Sequence, residues 1–187
     1  MTSTNPFSTD GPALTRPGPL RVMMVCTGNI CRSPMAEIVL RARLREHGLD
    51  DRVVVDSTGI SSEEHGNPID RRARTALARR GYAGDDVDAH RARRVRPDEI
   101  GERDLVLAMT AHHAATLRRL APDAADRVRM FRSSDPAAPA PRRDSDLDVA
   151  DPWYGGPDDF ELCLDEVEAA VDGLMAEIRT RLARQTR

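Results

Sequence analysis

Four short apolar runs recur along the chain, at residues 20–25, 53–55, 105–109 and 128–131, each built from β-branched or long aliphatic side chains. Runs of that length without polar alternation suit strands buried on both faces, as in a parallel sheet. Between them the apolar positions change to helical spacing. Met35, Ile38, Val39 and Ala42 share one face, with Pro34 in the first turn and Gly48 past the end. Ile69, Ala73, Ala76 and Leu77 repeat the pattern between Asn67-Pro68 and Gly81. Thr110 is placed to cap a third helix running through Leu117 and Leu120 and ending before Pro122. Phe160, Leu164, Val167, Val171, Leu174, Ile178 and Leu182 define a long last helix.

Strands alternating with helices predict an α/β fold: a single open parallel sheet of about four strands flanked by helices. Ligands of such sheets bind beyond the carboxyl ends of the strands. Residues 1–19, rich in Ser, Thr, Pro and Gly with no hydrophobic period, read as a disordered tail, and residues 20–187 as one domain. Residues 133–150, crowded with Pro, Asp and Ala, form a long loop, and loops of that length are often functional.

Composition narrows the function. A chain of 187 residues with 40% apolar residues has material for one core, and a net charge of -3 gives no global field that draws nucleic acid or an anionic membrane. All 28 basic residues are Arg, which excludes a Schiff-base lysine and the lysine of a nucleotide-binding P-loop. Three cysteines do not make a disulfide framework, so reduced thiols in the cytoplasm are expected. No secretory signal and no stretch of about 20 apolar residues is found, and no membrane partner is expected.

The chemistry concentrates where the first strand runs into Cys26-Thr27-Gly28-Asn29-Ile30-Cys31-Arg32-Ser33-Pro34 and a helix follows. Such a strand-to-helix loop aims backbone N–H groups and the helix dipole at one concavity, which is an anion site. The same field favours a thiolate at Cys26, and Arg32 returns round the loop to offer a planar fork to two phosphate oxygens. Gly28 gives the loop freedom, and Asn29 is the non-glycine residue that best tolerates a left-handed turn. Ser33, at the expected N-cap, is placed to bond the thiolate. Taken as an isolated cysteine, Cys26 reads instead as an ordinary buried thiol.

The segment VCTGNICRSPMAE, residues 25–37, and DVADPWYGG, residues 148–156, resemble the two signature segments of the low-molecular-weight protein tyrosine phosphatases, and the likeness of order runs from about Leu20 to the last helix. The resemblance implies a flavodoxin-like sheet and hydrolysis of phosphotyrosine in proteins or peptides through a phosphocysteine. It implies Cys26 as nucleophile, Arg32 as phosphate clamp and Asp151 as general acid, acting without metal or cofactor, while a monomer is expected because no exposed apolar stripe is found in the sequence. Thr27, Gly28, Asn29, Ile30, Cys31 and Ser33 then line the phosphate, and Trp153 and Tyr154 wall the cleft. It also implies a supporting network from Asn29 to Ser33, Ser57 and His90, and a reversible Cys26–Cys31 disulfide. On residues alone, Cys31 is equally a packed thiol, His90 a surface histidine, and Asp144, Asp146, Asp148 and Asp151 a solvated acidic loop.

Two positions depart from the family pattern. Glu63 stands where tyrosine-specific members commonly place an aromatic, and Thr110 where the family usually has Asp after Met109. Related protein-arginine phosphatases place Thr at the position of Ile30, so Ile30 favours an aryl phosphate. Arsenate reductases of similar fold need resolving cysteines that do not occur between Cys31 and Cys163. A non-catalytic phosphate reader is the remaining alternative.

Overall fold

The computed structural model describes residues 18–138 and 140–185. Most of the expected tail, residues 1–17, lies outside them. Four parallel strands, β1 (Leu20–Cys26), β2 (Val53–Gly59), β3 (Leu105–Ala108) and β4 (Val128–Met130), form one sheet in the order β2-β1-β3-β4. Among the described residues six helices surround it: α1 (Arg32–Glu46), α2 (Arg71–Arg79), α3 (Asp85–Ala89), α4 (Pro97–Gly101), α5 (Ala111–Leu120) and α6 (Pro157–Gln185).

Alternation along β1 explains why its sequence, apart from Arg21, is apolar. Val22 and Met24 pack into the core shared with α1, α2 and α6, while Met23 and Val25 pack into the core under α4 and α5. Both faces are covered from Val22 to Cys26, and Arg21 near the start of the strand is the one part-exposed position.

β2 is longer than its apolar run predicts, extending from Val55 through Asp56, Ser57, Thr58 and Gly59 in register with Met23–Cys26. Polar residues disguised this extension, and each has an internal partner. Asp56 takes bonds from Arg93 and Arg103 at 2.7 Å each, and the Ser57 hydroxyl donates to Glu37 at 2.6 Å. The short helices α3 and α4 have too few turns to show a hydrophobic period, so no sequence pattern marks either. Within the loop that follows β4, two 3-10 turns, Phe131–Ser134 and Asp144–Leu147, bury Phe131 and Leu147 and so fasten it to the core.

Candidate active site

The cradle begins where β1 ends. Cys26 is its last residue, Thr27 to Cys31 make the loop, and Arg32 is the first residue of α1. Asn29 adopts φ 61°, a left-handed conformation that carries a steric cost for a residue with a Cβ. Every polar atom of its side chain is engaged to hold it there. Nδ2 donates to Ser33 Oγ at 3.0 Å and to Ser57 Oγ at 2.8 Å, and Oδ1 accepts from Arg93 N at 3.0 Å. Its carbonyl lies 2.8 Å from His90 Nε2, which must therefore be the protonated, donating nitrogen. Burial lowers the pKa of His90 and keeps the ring neutral, against the opposing pull of the Asn29 carbonyl. Asp70 N donates to the Ile30 carbonyl at 2.8 Å, which ties the far side of the loop to the start of α2.

The Cys26 sulfur faces inward, 3.3 Å from Asn29 N and 3.0 Å from Ser33 Oγ. Ser33 is not the N-cap expected from the sequence. The cap position is Cys31, and Ser33 sits within the first turn of α1, where its hydroxyl points back under the sulfur. That hydroxyl receives Asn29 Nδ2 and has one proton for two acceptors, the sulfur and the Thr58 carbonyl at 3.2 Å. A protonated sulfur leaves it on the carbonyl, and a thiolate attracts it to the sulfur.

Arg32 is buried, and its guanidinium spans the cradle and the acidic loop. Nη1 donates to the Val149 carbonyl at 3.3 Å, and Nη2 bonds both Asp151 Oδ2 and, at 3.4 Å, Thr27 Oγ1. Nε is buried without a hydrogen-bond partner among the described residues, an arrangement that suits an oxyanion arriving from the cradle.

The structure separates the four loop carboxylates that the sequence left equivalent. Asp144 pairs with Arg118 and Asp146 with Arg143, both at the surface. Asp148 accepts from Ala111 N at 2.7 Å at the start of α5. Among these four only Asp151 reaches Arg32. Asp148 also bears on the departure at Thr110: with no acid at that position, Thr110 caps α5 through its hydroxyl while Asp148 brings a carboxylate to the same helix end.

Asp151 itself caps a 3-10 turn, Pro152–Tyr154, by accepting from Trp153 N at 3.2 Å. Trp153 is 38% exposed and Tyr154 91% exposed, so both rings stand at the rim. Arg72 anchors this rim from α2, with its guanidinium 5.4 Å from the Trp153 ring centre and 4.7 Å from that of Phe160, and with bonds to the carbonyls of Trp153 and Gly155 at 3.1 Å. Of Glu63 and its neighbour Glu64, Glu64 is the one whose side chain lies against Gly28, while Glu63 is exposed.

Cys31 is buried, and burial together with Asp70 pushes its thiol pKa well above the ordinary range, a state that disfavours attack on sulfur. Cys26, Cys31 and Cys163 are all free thiols. Two parts of the site had no signal in the sequence. Gly59 lies opposite Cys26 across the β1–β2 pair, and His113 reaches from α5 to Thr27 Oγ1 at 2.9 Å.

A thiol, a buried guanidinium and a carboxylate gather beyond the carboxyl end of a central parallel strand in an α/β protein, an arrangement that suits an oxyanion. Comparisons with known proteins give the family. The model of the low molecular weight phosphotyrosine protein phosphatases matches residues 21–185. A low molecular weight protein-tyrosine-phosphatase of Streptomyces coelicolor is 48% identical over 164 residues, 87% of this chain and 95% of the relative. Low molecular weight protein-tyrosine phosphatase A of Mycobacterium tuberculosis is 44% identical over 166 residues, 89% and 96% of the two chains. The crystal structure of YfkJ from Bacillus subtilis superposes with a TM-score of 0.78 at 29% identity, covering 88% of this chain and 98% of that one. The chain belongs to the low molecular weight protein-tyrosine phosphatases, which are cysteine-dependent hydrolases.

Proposed function

We propose that Cys26, Arg32 and Asp151 carry phosphotyrosine hydrolysis by two displacements at phosphorus. The observation that supports this most directly is the Arg32 side chain: fixed on Asp151 and Val149, it keeps a buried, unpartnered Nε beside a loop whose floor is the Cys26 sulfur. Phosphate entering the cradle draws Arg32 onto its oxygens, and Asp151 is released toward the leaving group. The sulfur attacks phosphorus, the S–P bond forms as the P–O(aryl) bond breaks, and Asp151 gives its proton to the departing phenol oxygen. Water then attacks phosphorus, its proton passes to Asp151, and the S–P bond breaks as the Ser33 hydroxyl turns to the sulfur. Thr27, Gly28, Asn29, Ile30 and Cys31 supply the cradle backbone, Ser57 and His90 brace Asn29, and the substrate ring lies against Trp153 and Tyr154.

Hydrolysis of an aryl phosphate with EDTA present is the test. Cys26→Ser and Arg32→Ala are expected to lose at least about a thousandfold in kcat, and Asp151→Asn about a hundredfold. A Cys26→Ser enzyme at the wild-type rate ends the reading.

The physiological substrates proposed are proteins carrying phosphotyrosine. Glu63 and Glu64 bring negative charge to one side of the cradle, so peptides with acidic residues beside phosphotyrosine bind less well than basic ones. Replacing both glutamates by Gln is expected to narrow that difference in kcat/KM at low salt by about three- to tenfold, and an unchanged ratio would remove this preference.

Among the described residues no helix is long and apolar enough to cross a membrane. The cytoplasm is the proposed compartment, since its reducing conditions keep the three thiols free. A monomer is the proposed state. The exposed large apolar side chains Val54, Trp153, Tyr154 and Leu162 are spread over β2, the acid loop and α6.

A further inference from the structure

His113 lies in the first turn of α5 with 2% of its surface exposed, and both ring nitrogens meet threonine hydroxyls. Nδ1 is 2.9 Å from Thr110 Oγ1, and Nε2 is 2.9 Å from Thr27 Oγ1. Thr27 follows the nucleophile directly, and its hydroxyl oxygen also receives Arg32 Nη2 at 3.4 Å. A continuous chain of hydrogen bonds therefore runs from α5 through His113 and Thr27 to the guanidinium. The same helix end takes hold of the acid loop, through Ala111 N on Asp148 Oδ1 and through the Val149 N bond to the Met109 carbonyl just before it.

We propose that His113 is a positioning residue for the phosphatase reaction: it fixes the Thr27 hydroxyl, which sets the plane of the Arg32 guanidinium. The inference rests on the reading of Cys26 and Arg32 as the reacting pair. An imidazole suits the task because its ring is rigid and its two nitrogens point in divergent directions, bridging the helix cap and the cradle. Burial, the charge of Arg32 and neighbouring His112 push its pKa down to about 3. The ring thus stays uncharged at working pH and does not compete with Arg32 for the phosphate. A neutral ring accepts at one nitrogen and donates at the other, and either tautomer satisfies both hydroxyls, since each hydroxyl can reverse its role.

Two amide replacements separate positioning from packing. Asn in place of His113 sets its amide where Nδ1 stood, keeping Thr110 but falling short of Thr27, and Gln reaches the place of Nε2. His113→Asn is expected to lose about tenfold in kcat/KM for an aryl phosphate and to bind inorganic phosphate more weakly. His113→Gln should recover most of that loss. Thr27→Val, an exposed position whose change leaves the core untouched, should match His113→Asn, and the double variant should be no worse than either. Melting temperatures measured alongside should not follow the order of the activities.

Wild-type kcat/KM in either His113→Asn or Thr27→Val overturns the inference, as do multiplicative losses in the double variant. If His113→Asn fails to fold, Thr27→Val alone decides by the same criterion. A Cys26→Ser enzyme that still turns over overturns the reading of the site and this inference with it, whereas an inactive Cys26→Ser beside a fully active His113→Asn overturns the inference alone.

Discussion

Gly59 is where β2 passes closest to the cradle. A Cβ at this position would run into the Thr27 carbonyl oxygen, with Asn29 N and the Gly28 carbonyl carbon each at 3.1 Å. All three obstacles are backbone of the phosphate loop, so none can rotate away. Gly59→Ala is expected to displace the loop and lower kcat/KM by at least about tenfold, while costing about 1–3 kcal/mol of stability. Kinetics and thermal unfolding of the same sample check both, and an Ala variant at the wild-type rate shows that the loop yields. This role was invisible in the sequence, where Ser57-Thr58-Gly59 looks like a turn following a strand. Cys26, Arg32 and Asn29 were legible because a strand, a loop and a helix start occur in unbroken order around them. His113 and Asp148 were not, because what they touch lies far away in the chain. Asp151 became visible only by resemblance, and its distinction from three neighbouring aspartates is a matter of which one reaches Arg32.

At the scale of elements, α6 gives a prediction that runs against helix propensity. Gly173 lies inside this 29-residue helix, and in a helix interior Gly→Ala ordinarily stabilises by about 1 kcal/mol. Here a Cβ would strike the Ser134 carbonyl oxygen, with Pro136 Cδ at 3.4 Å behind it. Ser134 ends the 3-10 turn that closes the chain after β4, so the helix and that turn meet backbone to backbone. Gly173→Ala is therefore expected to lower the melting temperature by several degrees, about 2–4 °C for each kcal/mol lost, and a rise would show that the turn moves aside. The spacing of Phe160 to Leu182 announced this helix plainly, since its face is wide and its turns many. The strands were legible as far as their apolar stretches went. The apolar run marks β2 only as far as Val55, because Asp56, Ser57 and Thr58 are polar, yet these residues continue the strand to the cradle. Polar side chains satisfied by distant partners are indistinguishable, in sequence, from those satisfied by water.

For the molecule as a whole, the buried His113 and the half-buried His90 couple stability to pH. His113, pushed down to about 3, and His90, also lowered, stay neutral in the folded chain where an unfolded histidine with a pKa near its ordinary 6.5 takes up a proton. Below that value the unfolded state binds more protons than the folded one, so each costs stability as the pH drops below about 6.5, by at most about 1.4 kcal/mol per pH unit, and the loss from His113 continues toward pH 3. Asp86, lowered chiefly by its bond from Arg45, adds a loss of the same sign at more acid pH. Glu37 acts in the opposite sense. Burial outweighs its bonds from Ser57 and Arg41 and raises its pKa, so the folded state holds a proton that the unfolded state gives up as pH rises past its ordinary value near 4.5. Because these contributions overlap, the decisive quantity is the difference between two proteins and not the slope of one. His113→Gln removes one titrating group from the balance and leaves the others in place. Melting temperatures measured from pH 7.5 to pH 5 are expected to fall less steeply for this variant than for the wild type, and parallel curves would mean that the His113 ring is protonated in the folded chain as readily as in the unfolded one.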